Sequence, residues 1–174
     1  AQLFGMAEAA GALTAGATPV LVEGPLDAIA VTLAAGGAAV GVAPLGTAFT
    51  DAQADSLRPY LGPGRLGVVV ATDADEAGQK AAVRAYWQLT ARGGNPTHWV
   101  MPDGHDPASL LQSAGPAAAI PGPATIMSAS VSAACAIAAG GRVVHTVVGD
   151  RERGAQGVRV GRRRPGRAGR DLAF

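Results

Sequence analysis

The residues of this 174-residue chain best suited to chemistry are acids that follow apolar runs. In "VVVATDADEAGQKAA" (68–82) a run of Val and Ala gives way to Asp73, Asp75 and Glu76. Earlier, "VLVEGPLDAIAV" places Glu23 at the end of an apolar run and Asp27 just after it; later, "GHDPASLL" carries Asp106. Carboxylates gathered in one place raise one another's pKa and cost stability unless a cation relieves the repulsion. An oxygen-only donor set selects a hard ion, Mg²⁺, or Mn²⁺ as a substitute. Such ions, held by one or two carboxylates and keeping several waters, serve phosphoryl transfer, and two of them would clamp both oxygens of an in-line displacement.

Four of these six acids also have a structural role open to them. Asp27 and Glu76 suit the first turn of a helix, where the macrodipole favours a negative charge. Asp75 and Asp106 suit N-cap positions, the second with Pro107 behind it. Glu23 and Asp73 follow strands without being placed to cap, so structure alone accounts for them least well.

Other chemistries are less well supplied. Cys135 is the single cysteine, which excludes an internal disulfide and a cysteine zinc site. His98 and His145 show no ligand spacing, and His105 reads as a surface-loop histidine. Trp87 and Trp99, within a helical and a strand pattern, are expected in the core. Charge divides the chain: residues 1–141 carry five basic and ten acidic side chains, whereas 142–174 carry nine Arg and three acids. The start lacks a basic leader region, and "IMSASVSAACAIAAGG" (126–141) is too short and too rich in Ser and Gly to span a bilayer. These features predict a soluble, cytoplasmic protein with no membrane partner.

The acids must be positioned by the elements between them. Four strand-like runs, 19–24, 38–44, 66–72 and 97–101, alternate with helical patterns. In the first helix Leu26, Ile29, Ala30 and Leu33 fall at helical spacing, and Gly36–Gly37 end it. Thr50 and Gln53 form a capping-box pattern opening a helix to about Leu61. A third helix spans Ala77 to Ala91, and a short one starts at Asp106–Pro107. Short apolar strands alternating with helices predict an α/β fold with a four-stranded parallel sheet covered on both faces. Ligands of such sheets bind beyond the carboxyl ends of the strands, which is where Glu23, Asp27, Asp73, Asp75 and Asp106 gather. The periodicity fails from about Ala117, and "GRRRPGRAGRD" (161–171) reads as a flexible basic segment. The Arg/Gly/Ala/Pro bias of this tail also fits out-of-frame translation of a GC-rich gene.

"VLVEGPLDAIAV", "PLGTAFT" and "VVVATDADEAGQKAAVRA", taken in order, resemble the Toprim domain of bacterial DnaG-type DNA primases. "LFGMAEA" before them and the Asp-Pro motif of "GHDPASLL" after them extend the resemblance over about residues 3–115. It implies a Toprim-type, Rossmann-like sandwich in which Glu23 is the catalytic acid/base and Asp73 and Asp75 hold the metal. Asp27 and Asp106 would be further contributors to the metal cluster. The Ala-Gly-x-x-Ala-Ala continuation after Asp75 is that of primases rather than of topoisomerases or recombination factors sharing the domain. Ala108 departs from the second acid that many primases carry two residues after the Asp-Pro aspartate, leaving one metal or two open. A full primase's zinc module and basic amino-terminal half have no counterpart in this chain, which reads as a module of a longer protein.

The expected organisation is therefore a lead-in over 1–18, a Toprim domain over 19–118 and a low-complexity, partly disordered tail over 119–174. The implied activity is Mg²⁺-dependent synthesis of RNA primers from ribonucleoside triphosphates on single-stranded DNA. A replicative helicase or separate amino-terminal primase and zinc modules would be partners. Lys80 and Arg84, and the loop residues Gly46 and Thr47, are candidates for contact with nucleotide or template, with a solvated helix face and a plain turn as their bland alternatives. Two other functions fit the same residues: a Toprim nuclease, or a nucleic-acid-binding module of a mobile-element replication or transfer protein.

Overall fold

The computed structural model describes residues 2–46, 48–61, 67–73, 75–122 and 126–128. In chain order the elements are β1 (Leu3–Phe4), α1 (Met6–Thr14), β2 (Thr18–Leu21), α2 (Pro25–Ala35), β3 (Ala39–Pro44), α3 (Asp51–Leu57), β4 (Val69–Val70), α4 (Glu76–Thr90), β5 (Thr97–Trp99), α5 (Pro107–Ala114) and β6 (Ile126–Ser128). The sheet order is β1-β3-β2-β4-β5-β6. Its four central strands are parallel, with Val20 opposite Gly41 and Val69, and Val70 opposite His98. These are the four strands expected from the sequence.

The sheet is larger than expected by two short antiparallel edge strands. β1 pairs with β3, Leu3 opposite Pro44, and β6 pairs with β5, Trp99 opposite Ile126. Periodicity cannot detect elements of two or three residues, yet such short strands suit exposed sheet edges. The expectations for Thr47 and for the tail beyond residue 128, including Cys135 and His145, lie outside the described residues.

Strand alternation divides the core into two layers. Val20, Val22, Val69, Ala71 and Trp99 pack against Ala28 and Val31 of α2 and Leu110 of α5. On the other face Leu21, Val42, Val68 and Val70 meet Ala54 and Leu57 of α3 and Ala82, Ala85 and Leu89 of α4. α1 joins that second layer by packing Ala9 and Leu13 on Val40. Both faces being covered, the central strands are apolar almost throughout. Arg92 ties the two helices of the second layer together, reaching Asp51 at 3.1 Å and Asp55 at 2.7 Å. Among the described residues no helix is long and apolar enough to cross a membrane.

Two helices pack or end differently from what spacing alone suggests. α2 does not bury Leu26, Ile29 and Leu33; Leu26 is 72 % exposed and Leu33 70 %, while Ala28, Ala30 and Val31 are buried. The reason lies beneath the helix. A Cβ on Gly41 of β3 would collide with the backbone of Ala28, so α2 lies too close to the sheet for a face of leucines. Thr32 secures the approach, its hydroxyl accepting from Gly41 N–H at 2.9 Å and donating to Ala28 C=O at 2.8 Å. The helix opened by the Thr50–Gln53 capping box stops at Leu57 and tightens into a 3₁₀ turn over Arg58–Tyr60. Pro59 accounts for that change, since it cannot supply the next helical N–H.

Gly41→Ala is expected to destabilise the protein by ~2 kcal/mol through overpacking between β3 and α2, read as a lower midpoint in urea unfolding. Leu33→Gln, on the exposed side of the same helix, should leave the midpoint nearly unchanged.

Candidate active site

β2 and β4 lie side by side and end at the same edge, which brings Glu23 and Asp73 together although fifty residues separate them. The Asp73 N–H donates to Glu23 Oε1 at 3.0 Å, tying the two strand ends. Asp75 caps α4, accepting from Gly78 N–H through Oδ1 at 2.7 Å. Asp106 caps α5 in the same way, accepting from Ser109 N–H at 2.6 Å, with the Ser109 side chain closing the box. Asp27, in the first turn of α2, accepts from Ala108 N–H at 3.3 Å and so joins α2 to the start of α5. Asp73 has no side-chain hydrogen bond among the described residues and is the least committed of the five.

The five acids therefore occupy one edge. Burial raises the pKa of Glu23 above its ordinary value; the Asp73 N–H opposes this, and the charges of Asp73, Asp75 and Asp27 add to it. Asp27 is raised by burial and by Asp106 and Asp73, against the pull of the Ala108 and Gly24 N–H groups. Asp73 is raised by burial and then by Asp106 and Asp75. Each acid feels its neighbours as like charges, and no Lys or Arg is among the causes that shift these three.

Among the described residues no three carboxylates converge as a ready-made cage for one ion. Mg²⁺ asks for less, since it is bound through one or two carboxylates and retains waters. An acidic edge whose raised groups have no Lys or Arg among their causes, and an Asp73 with no side-chain hydrogen bond among the described residues, are compatible with such an ion. The Glu23 carboxyl is partly desolvated, which raises its pKa, while the residue as a whole stays open to solvent, and an acid/base group needs both properties.

The remaining candidates make no hydrogen bond or ion pair with these five acids among the described residues. Lys80 is exposed on α4 and paired with Glu76 one turn earlier; Arg84 is exposed on the same helix. Gly46 lies in the bend following β3. His98 is largely buried on β5, where burial lowers its pKa, and its Nε2 has no partner among the described residues. Trp99 is buried as expected, but Trp87 is 41 % exposed and is no core residue. Gly78, part of the Ala-Gly-x-x-Ala-Ala run but given no role from the sequence, shapes the site. A Cβ there would strike the carbonyl, carbon and nitrogen of Asp73, so only glycine allows α4 to start against the strand end. Its signal was present as a glycine at the third position of a helix.

Because Glu23, Asp27 and Asp73 titrate higher in the folded than in the unfolded chain, the folded state holds more protons. Stability without metal should then fall as the pH climbs from the ordinary carboxylate range through the raised values. Asp73→Asn should raise the Tm of the chelator-treated protein slightly at neutral pH, the gain being small because Asp73 is exposed and water screens its repulsion, and millimolar Mg²⁺ should cancel that advantage by stabilising the unsubstituted protein. Thermal scans from pH 4 to 8, with and without Mg²⁺, read both effects. Gly78→Ala should abolish the Mg²⁺-dependent rise.

Residues 20–111 match the Toprim-like family model. A DNA primase of Clostridium acetobutylicum is 38 % identical over 100 residues, covering 58 % of this chain and 16 % of the relative. The solved RNA polymerase domain of the Mycobacterium tuberculosis primase DnaG is 33 % identical, with a TM-score of 0.52 over 63 % of this chain and 36 % of that one. A DnaG primase catalytic domain solved bound to single-stranded DNA gives 30 % identity and a TM-score of 0.54 over 67 % of this chain and 36 % of that one. The chain spans less than a quarter of the length of the curated primases it matches.

Proposed function

The chain belongs to the Toprim-like family, as a Toprim module of the DnaG primase type, and from that premise we propose that it is the nucleotidyl-transfer core of a primase. The observation that carries this is the single acidic edge formed by Glu23, Asp27, Asp73, Asp75 and Asp106 at the carboxyl ends of parallel strands. Asp73 and Asp75 would hold Mg²⁺, with Asp27 and Asp106 as further contributors to the metal cluster. When bound, the ion neutralises charge on the transferring phosphoryl group. Glu23 would accept the proton of a primer 3′-hydroxyl as its oxygen attacks the α-phosphorus of a ribonucleoside triphosphate, and pyrophosphate would leave. The surrounding elements do the positioning: the Asp73 N–H holds Glu23, and Gly78 lets Asp73 and Asp75 lie against the start of α4. Most of the rate gain would come from placement and electrostatic stabilisation.

Single-stranded DNA is the expected template, consistent with the DNA-bound primase domain that this fold resembles. Residues 1–141 carry a net charge of −5 and are poorly suited to hold DNA unaided, because affinity rests on neutralising phosphates. The basic and zinc-bearing parts of a primase would supply that grip. Little priming is expected from the chain alone.

The chain joined behind the amino-terminal half of a DNA primase that it matches should extend an RNA primer on labelled single-stranded DNA with Mg²⁺. Asp73→Asn together with Asp75→Asn should abolish extension, and Asn at 75 keeps a side chain able to cap α4. Extension undiminished in the double variant would refute the assignment. Shortened DNA in place of extended primer would mean phosphodiester hydrolysis by the same carboxylates.

A further inference from the structure

We propose that the outer face of α4 is a path for single-stranded nucleic acid leaving the acidic edge, with Lys80 and Arg84 against phosphates and Trp87 as a stacking surface for a base. This deepens the primase reading and rests on it for the identity of the strand, but its observations are separate. Positions 80, 84 and 87 are spaced i, i+4 and i+7, which puts them on one stripe of the helix. α4 begins at the acidic edge, capped by Asp75, and Trp87 lies about 18 Å further along at the helical rise. The stripe thus leads away from the cluster rather than into it.

The residues are unusual for this chain. Five basic side chains serve residues 1–141, and two of them sit here. Arg92 is held by Asp51 and Asp55, whereas Arg84 is exposed and makes no ion pair among the described residues. Lys80 is shared with Glu76, an exposed pair that costs little to open to a phosphate. Trp87 is 41 % exposed, and Tyr86 packs edge-on against it with ring centroids 5.5 Å apart at 82°. That contact orients the indole while leaving it accessible. An exposed aromatic following cations on one stripe is the combination that binds single strands: phosphates meet the cations and any base can stack. The other exposed apolar stripe, Leu26, Ile29 and Leu33 on α2, carries no cation and does not fit such a ligand.

The test uses the full chain, its intrinsic fluorescence and an oligothymidylate at low salt in the presence of chelator. Trp99 is only 2 % exposed, so quenching by the oligonucleotide would report Trp87. Saturable quenching is expected, absent in Trp87→Leu and weakened about tenfold in Arg84→Glu. Asp73→Asn with Asp75→Asn should keep the quenching, which separates a failure of this path from a failure of the cation site. Anisotropy of a labelled oligonucleotide that rises without quenching would place the strand elsewhere, for example on the Arg-rich 142–174 segment, and would overturn the proposal. So would quenching indifferent to Arg84→Glu, or equal quenching by polyglutamate, which would mark a docking surface for an acidic protein.

Discussion

Crowding carboxylates at the end of a buried sheet is unfavourable, and the architecture around this edge is the answer to that constraint. Four of the five acids are held by backbone N–H groups: Glu23 by Asp73, Asp27 by Ala108, Asp75 by Gly78 and Asp106 by Ser109. Bonds from N–H groups favour the ionised form and so offset part of the repulsion. Glu23, Asp27 and Asp73 all remain raised, by burial first and by the neighbouring carboxylates after it. The residual unfavourable charge is what a divalent cation would relieve. Asp73, the acid without a side-chain hydrogen bond among the described residues, is raised by burial and by the charges of Asp106 and Asp75.

Two glycines make the geometry possible. Gly78 brings the start of α4 onto the backbone of Asp73, and Gly41 brings α2 onto β3. The second approach matters to the site because α2 carries Asp27 and follows Glu23 directly. α5 packs beside α2 in the same layer, and its Ala108 N–H holds Asp27. The position where many primases carry another acid thus contributes a backbone donor here. Strand order, close helix approach and helix caps act together; none of them alone would assemble the edge.

Much of this was readable from residue types and spacing. The four parallel strands follow from apolar runs bounded by Gly and Pro, and both aspartate caps follow from their place before α4 and α5. What escaped was set by tertiary packing. The spacing of Leu26, Ile29 and Leu33 marks a helix but not which side faces the sheet, and the small residues facing Gly41 reverse the usual choice. Trp87 follows the same logic: its size suggests the core, yet Ala82, Ala85 and Leu89 fill the layer beneath α4. β1 and β6 are too short for any periodicity. Residue types also cannot show that the Asp73 N–H reaches Glu23, because that bond depends on β2 and β4 being neighbours.

The central claim is that this edge is a divalent-cation site, and direct titration with Mn²⁺, followed by the electron paramagnetic resonance of the free ion, tests it most directly. Saturable binding that Mg²⁺ displaces, and that Asp73→Asn removes while Asp51→Asn does not, is the predicted result. Absence of saturable binding at millimolar Mn²⁺, or binding indifferent to Asp73→Asn, would contradict the account.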